Sequence, residues 1–121
     1  MISVNDIHWA AGFLEGEGTF GFYVRKPVAS AEQVQKEPID RLKKIFGGSL
    51  RIRITKRKSN EQDRFVWTAH GGRAIGVMLT LFCLMSLKRK TQIKKALYKW
   101  RDSRRHLKEI DPPNPQLALQ F

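Results

Sequence analysis

Two glutamates separated by one glycine, Glu15 and Glu17, are the side chains of this sequence best placed to hold a divalent cation. They close the run Ala10-Ala11-Gly12-Phe13-Leu14-Glu15-Gly16-Glu17-Gly18. Upstream, Ser3 and Asp6 are spaced like a capping box and Ile7 to Leu14 is rich in apolar residues, which predicts a helix over residues 4–15. Both acids then stand at a helix C-terminus, where the macrodipole disfavours negative charge. Such carboxylates are either solvated in a loop or compensated, and a divalent cation bound through oxygen ligands is one means of compensation. His8, Gly12 and Gly16 fall one turn apart on the same helix with Ala11 flanking them, a stripe small enough for a second helix to approach by its backbone. The remaining candidates for chemistry are weak. His8, His70 and His106 have no metal-ligand spacing, and no His, Ser or Cys is positioned as a covalent nucleophile. The lone Cys83 can form neither an internal disulfide nor a cysteine metal site, and its apolar surroundings predict burial and a reducing interior.

The elements that would position these residues follow from periodicity. Phe20, Phe22 and Val24 alternate with Thr19, Gly21, Tyr23 and Arg25, a half-buried strand, with a turn expected at Lys26-Pro27 and a second strand over Val28 to Gln33. Pro38 and Gly47-Gly48 bracket a short amphipathic helix bearing Ile39, Leu42, Ile45 and Phe46. Leu50, Ile52 and Ile54 alternate with Arg51, Arg53 and Thr55 in a third strand, and a polar loop over residues 56–63 leads to a fourth anchored by Phe65 and Trp67. Gly71-Gly72 breaks the chain before an apolar helix over about 73–85, and a last helix over about 90–106 carries Ile93, Ala96, Leu97 and Trp100 on one stripe. Trp9, Trp67 and Trp100 are read as core or interface anchors.

The resulting order, α-β-β-α-β-β-α-α, predicts an α+β fold: a four-stranded antiparallel sheet with helices packed on one face, forming one domain over residues 1–110, followed by a Pro-containing tail over 111–121. The opposite face would carry Thr19, Tyr23, Arg25, Ser30, Glu32, Arg51, Arg53, Thr55, Arg64 and Thr68, with four Arg against one Glu. In total 23 Lys and Arg oppose 11 Asp and Glu, a formal charge of +12 that a compact domain tolerates best when a polyanion neutralises it. A broad basic ribbon of strands suits the DNA major groove. The apolar stretch over 74–87 is too short for a membrane span and is followed by a basic cluster, so a core helix is expected there, and no secretory or organellar presequence is seen.

The nine-residue run resembles the signature of the LAGLIDADG homing endonucleases, through Ala11, Gly12, the pair Phe13-Leu14 and the acid-small-acid-Gly ending. The element order, the Gly47-Gly48 helix stop and Leu87-Lys88-Arg89-Lys90 extend the likeness over roughly residues 5–105. The leading Leu is replaced by Ala10, and both acids are Glu rather than Asp, which lengthens the ligand arm.

The resemblance implies a metal-dependent DNA endonuclease cutting both strands of a long, pseudo-palindromic duplex site. Glu17 would bind the catalytic cation (Mg²⁺ or another such as Mn²⁺) with help from the Gly16 carbonyl, while Glu15 would be structural. Lys88 and Gln33 match solvent-organising and phosphate-contacting positions. A single motif implies a homodimer pairing through His8, Ala11, Gly12 and Gly16, with one Glu17 for each DNA strand. Neither a membrane nor a small-molecule substrate is expected. Base reading would fall to the polar sheet face, and phosphate contacts to the basic residues of 56–58 and of the 88–108 region. The alternatives are an RNA-binding intron maturase and a non-catalytic DNA-binding regulator on the same fold.

Overall fold

The computed structural model describes residues 2–54 and 62–110, with side chains to residue 104. Helix α1 spans Val4–Glu17 and begins in the anticipated capping box. The Asp6 amide donates to Ser3 Oγ at 3.0 Å, and the Ser3 amide donates to Asp6 Oδ2 at 3.2 Å. These bonds, with Arg41 as a lesser contributor, hold the Asp6 carboxyl below the usual carboxylate range. Strands β1 (Gly18–Tyr23) and β2 (Lys26–Gln33) form a hairpin, α2 spans Lys36–Phe46, and β3 (Ser49–Arg53) and β4 (Arg64–His70) complete the sheet. Helix α3 (Gly71–Leu81), a 3-10 turn (Phe82–Leu84) and helix α4 (Leu87–Ile110) follow. The fold is α+β, and every strand pair is antiparallel in the order β1-β2-β4-β3.

One face of the sheet carries the core. The register sets Gly18 and Phe20 opposite Ala31 and Ala29, so the small β2 residues make room for the ring, and Ala31 in turn faces Trp67. Helix α4 packs along β1, α3 over β2 and α2 over β4. Between the layers lie Leu14, Ile39, Leu42, Trp67, Met78, Leu81 and Ile93, all fully buried. Burying side chains of this kind contributes ~1.5–3 kcal/mol each. The Trp67 indole N–H is satisfied by the Gly47 carbonyl at 2.8 Å. At Gly48, with φ +93°, a Cβ would stand 2.6 Å from the Thr68 carbonyl, so the glycine pair that stops α2 is also required where it passes β4. Trp9 stacks on Phe13 at 5.3 Å beneath Arg41, and Trp100 packs against the core.

Three expectations are corrected. The hairpin turns at Val24 and Arg25, both with positive φ (51° and 63°), and not at Lys26-Pro27. Pro27 pairs with Phe22 next to the closing Tyr23–Lys26 pair, a position that needs no N–H bond to β1, so it can sit inside a strand. Arg25 therefore belongs to the hairpin tip rather than to the sheet face. Cys83 is exposed, because α3 gives way to the 3-10 turn and the tighter winding turns this residue outward. Ile52 and Ile54 extend beyond the helix layer and are 54% and 64% exposed, so only Leu50 of the β3 apolar row packs against the core.

Candidate functional site

The end of α1 is built by a contact between three elements. Glu15 reaches the start of α4, where its Oε1 accepts from the Ser86 amide at 2.6 Å and its Oε2 from the Ser86 hydroxyl at 2.8 Å. Ser86 is the residue before α4 and its Oγ accepts from the Arg89 amide at 3.3 Å, as an N-cap does. Arg89 closes the clamp, its Nε donating to the Glu15 carbonyl at 3.0 Å and its Nη1 to Gln92 Oε1 at 3.0 Å. The Ser86 backbone and hydroxyl bonds, followed by the charges of Arg89 and Lys88, hold the Glu15 carboxyl below the ordinary carboxylate range. Glu15 thus has the structural role expected of it, and its charge at the α1 C-terminus is offset by the N-terminus of another helix.

Glu17 has no such offset. It is the last residue of α1, is exposed, and meets no hydrogen-bond donor or cation among the described residues. Its backbone is fixed by Gly18, whose amide donates to the Leu14 carbonyl and whose Cβ, if present, would lie 2.6 Å from that oxygen. The terminal glycine of the motif is therefore a steric requirement of the α1–β1 junction. Gly16 is exposed beside Glu17. One carboxylate and one nearby carbonyl are a partial oxygen shell, suited to Mg²⁺, which keeps several waters and completes its octahedron with substrate phosphates. Among the described residues no group of three or more His, Cys, Asp or Glu converges.

Lys88 and Gln33 are found at this same end of the molecule. The Glu15–Ser86 clamp places Lys88, exposed in the first turn of α4, beside the α1 C-terminus. The register that sets Gly18 against Ala31 puts Gln33 at the sheet end where α1 passes into β1. Gln33 Oε1 accepts from the Val34 amide at 2.9 Å, so its NH₂ group is the part left to act.

On the outer sheet face the ladder aligns Thr19, Ser30, Thr68 and Ser49 in one row across all four strands, and Glu32, Val66 and Arg51 in the next. Arg64 and Arg53 pair at the sheet end. Arg53 Nη2 lies 3.1 Å from Glu32 Oε1, so one guanidinium of the face is engaged, while those of Arg51 and Arg64 have no partner. Tyr23 is 55% exposed and folds back over Gly21, where a Cβ would collide with its ring. Thr55 and the basic residues of 56–58 lie outside the described residues.

On α1, His8, Gly12 and Gly16 share an exposed stripe, and a Cβ at either glycine would meet nothing within 4 Å. Ala11 departs from the expected set: it is 5% exposed and packs in the core beside Ala10 and Leu14. The Ser86–Arg89–Gln92 clamp was not anticipated, although a serine directly before a Lys/Arg-rich helical run is a readable N-cap. No helix among the described residues is long and apolar enough to cross a membrane.

No protein-family model matches the chain, and no curated protein matches it. Among solved structures it is similar to an archaeal intron-encoded homing endonuclease complexed with DNA, at 20% sequence identity and a TM-score of 0.51 over 70% of this chain and 60% of that one. The likeness is one of fold, and the chain spans about 60% of the length of that neighbour.

Proposed function

We propose that the chain is a LAGLIDADG-type homing endonuclease of the single-motif, homodimeric kind, hydrolysing both strands of a long pseudo-palindromic DNA site with a divalent cation. The observation that carries this reading is the contrast between the two motif acids: Glu15 is bound by Ser86 and Arg89, whereas Glu17 is left exposed and uncompensated at a helix C-terminus. The fold shared with a DNA-bound homing endonuclease supports it.

In this mechanism the Glu17 carboxylate and the Gly16 carbonyl hold Mg²⁺ or Mn²⁺. The cation supplies Lewis-acid stabilisation of the phosphoryl charge and lowers the pKa of the attacking water. Lys88 presents an ammonium to the phosphate oxygens, reinforced by the positive end of α4. The Gln33 NH₂ donates to the water or phosphate and fixes its orientation. The sheet face is roughly 14 Å across at a strand spacing of ~4.8 Å, comparable with a ~12 Å major groove. It reads bases through Arg51, Arg53 and Arg64, with Thr19, Tyr23, Ser30, Glu32 and Thr68 as hydrogen-bonding partners.

A second copy supplies the other Glu17. Glycine in a helix interior costs ~1 kcal/mol relative to alanine, and neither Gly12 nor Gly16 recovers that cost inside one chain. A helix from the partner lying against the His8–Gly12–Gly16 stripe would give both glycines a purpose.

The test is selection of cleaved sites from a randomised duplex library in Mg²⁺, with the wild type and Glu17→Gln in parallel. The reading expects double-strand cleavage that the substitution abolishes while DNA binding persists. Binding to RNA without cleavage of any duplex would replace it with the maturase reading, and duplex binding without cleavage by the regulator reading.

A further inference from the structure

The basic residues of α4 do not form one surface. Lys90 and Lys94 lie over the Phe82 ring at 5.6 and 5.9 Å, and Arg101 and Arg104 lie over Tyr98 and Trp100 at 5.2 Å each. Lys95 and Lys99, with Gln92 and Ala96, instead line a cleft of about 340 Å³ against the β1 edge, whose other wall is Thr19 to Tyr23. Lys88, Gln92, Lys95 and Lys99 are four, three and four residues apart, so they follow one another on this side of the helix.

The β1 wall of the cleft is an open sheet edge. Because Tyr23 and Lys26 close a two-residue turn, alternate β1 residues bond to β2, and the Phe20 and Phe22 amides are directed away from it, toward α4. The cleft therefore combines two ammonium groups, a side-chain amide and main-chain N–H donors, a set suited to phosphate oxygens. From Lys88 to Lys99 the helix rises ~16 Å, the axial length of about five nucleotides of one strand.

We propose that the α4–β1 cleft is a phosphate track that holds the DNA backbone leading away from the Glu17 end, with Lys95 and Lys99 as its anchors, and that the Lys90–Lys94 side of α4 takes no part. The inference rests on the endonuclease reading. It assigns the track to a face the base-reading sheet does not include, so it adds affinity without sequence preference.

Equilibrium binding to a long duplex at increasing salt tests this. Lys95→Gln/Lys99→Gln should make the slope of log K against log salt shallower by about 2, at ~0.9 for each phosphate released, equally for all sequences. Lys90→Gln/Lys94→Gln removes the same charge and should leave the slope unchanged, which separates contact from overall field. Equal flattening by both pairs overturns the track. So does an unchanged slope for Lys95→Gln/Lys99→Gln accompanied by loss of polyglutamate binding, which would make the cleft a site for an acidic extended peptide. A wild-type chain that binds no duplex at any salt concentration would instead defeat the endonuclease reading itself. Circular dichroism of both pairs controls for folding, and as surface lysines neither should unfold the chain.

Discussion

Two carboxylates two residues apart meet opposite fates on α1. Glu15 is a ligand of the protein itself, held by Ser86 and Arg89, and Glu17 is offered to something outside it. The depressed Glu15 carboxyl carries a pH signature. A group whose folded pKa lies below its ordinary value of 4.5 contributes stability that is present above that value and is lost as pH falls through the folded pKa. Thermal melts should therefore show Glu15→Gln below wild type at pH 7, with the gap closing in acid. A gap that persisted in acid would place the loss in packing instead. Among the base-reading candidates, Arg51 is the sharper test, since Arg53 is tied to Glu32. Arg51→Ala should relax preference at one base position at a cost of ~1–3 kcal/mol in discrimination, measured by competition among single-base variants of the site. The sequence made Glu17, Lys88 and the role of Glu15 legible through the motif. It did not reveal that Glu32 occupies Arg53, because the pair is diagonal across β4 and depends on a register that no local pattern encodes.

At the level of elements, alternation and glycine placement gave every helix and strand, and errors gathered where the chain turns. Pro27 reads as a turn residue, yet the turn is made by Val24 and Arg25. A β-branched residue at φ 51° is unfavourable, and nothing in its own side chain signals that conformation; the register of Phe20 against Ala29 and Gly18 against Ala31 fixes it instead. Since Val24 is 93% exposed, Val24→Asn should relieve the strain and stabilise the fold by ~1 kcal/mol. A higher urea midpoint with unchanged m would show it, and an unchanged or lower midpoint would mean that the turn is not strained. The α1–β1 junction was legible for a reason now visible: Gly18→Ala would push a Cβ into the Leu14 carbonyl, displacing Glu17. That variant should lose cleavage more than duplex binding in parallel assays.

For the whole molecule, a +12 chain presents a basic sheet face on one side and a small-residue helix stripe beside its acidic end. Charge and periodicity announced the first, but the second acquires meaning only from its packing. Gly12 has open space where a Cβ would go, so Gly12→Ala should stabilise the isolated chain by ~0.5–1 kcal/mol and yet weaken self-association. Sedimentation and denaturation run together would detect that opposition. The most direct measurement of the central claim uses mixed chains, wild type with Glu17→Gln, acting on a supercoiled plasmid that carries the selected site. With one Glu17 serving each strand of a dimer, the mixture should accumulate nicked circles that neither chain gives alone. A mixture yielding only linear product, in proportion to its wild-type share, would contradict it.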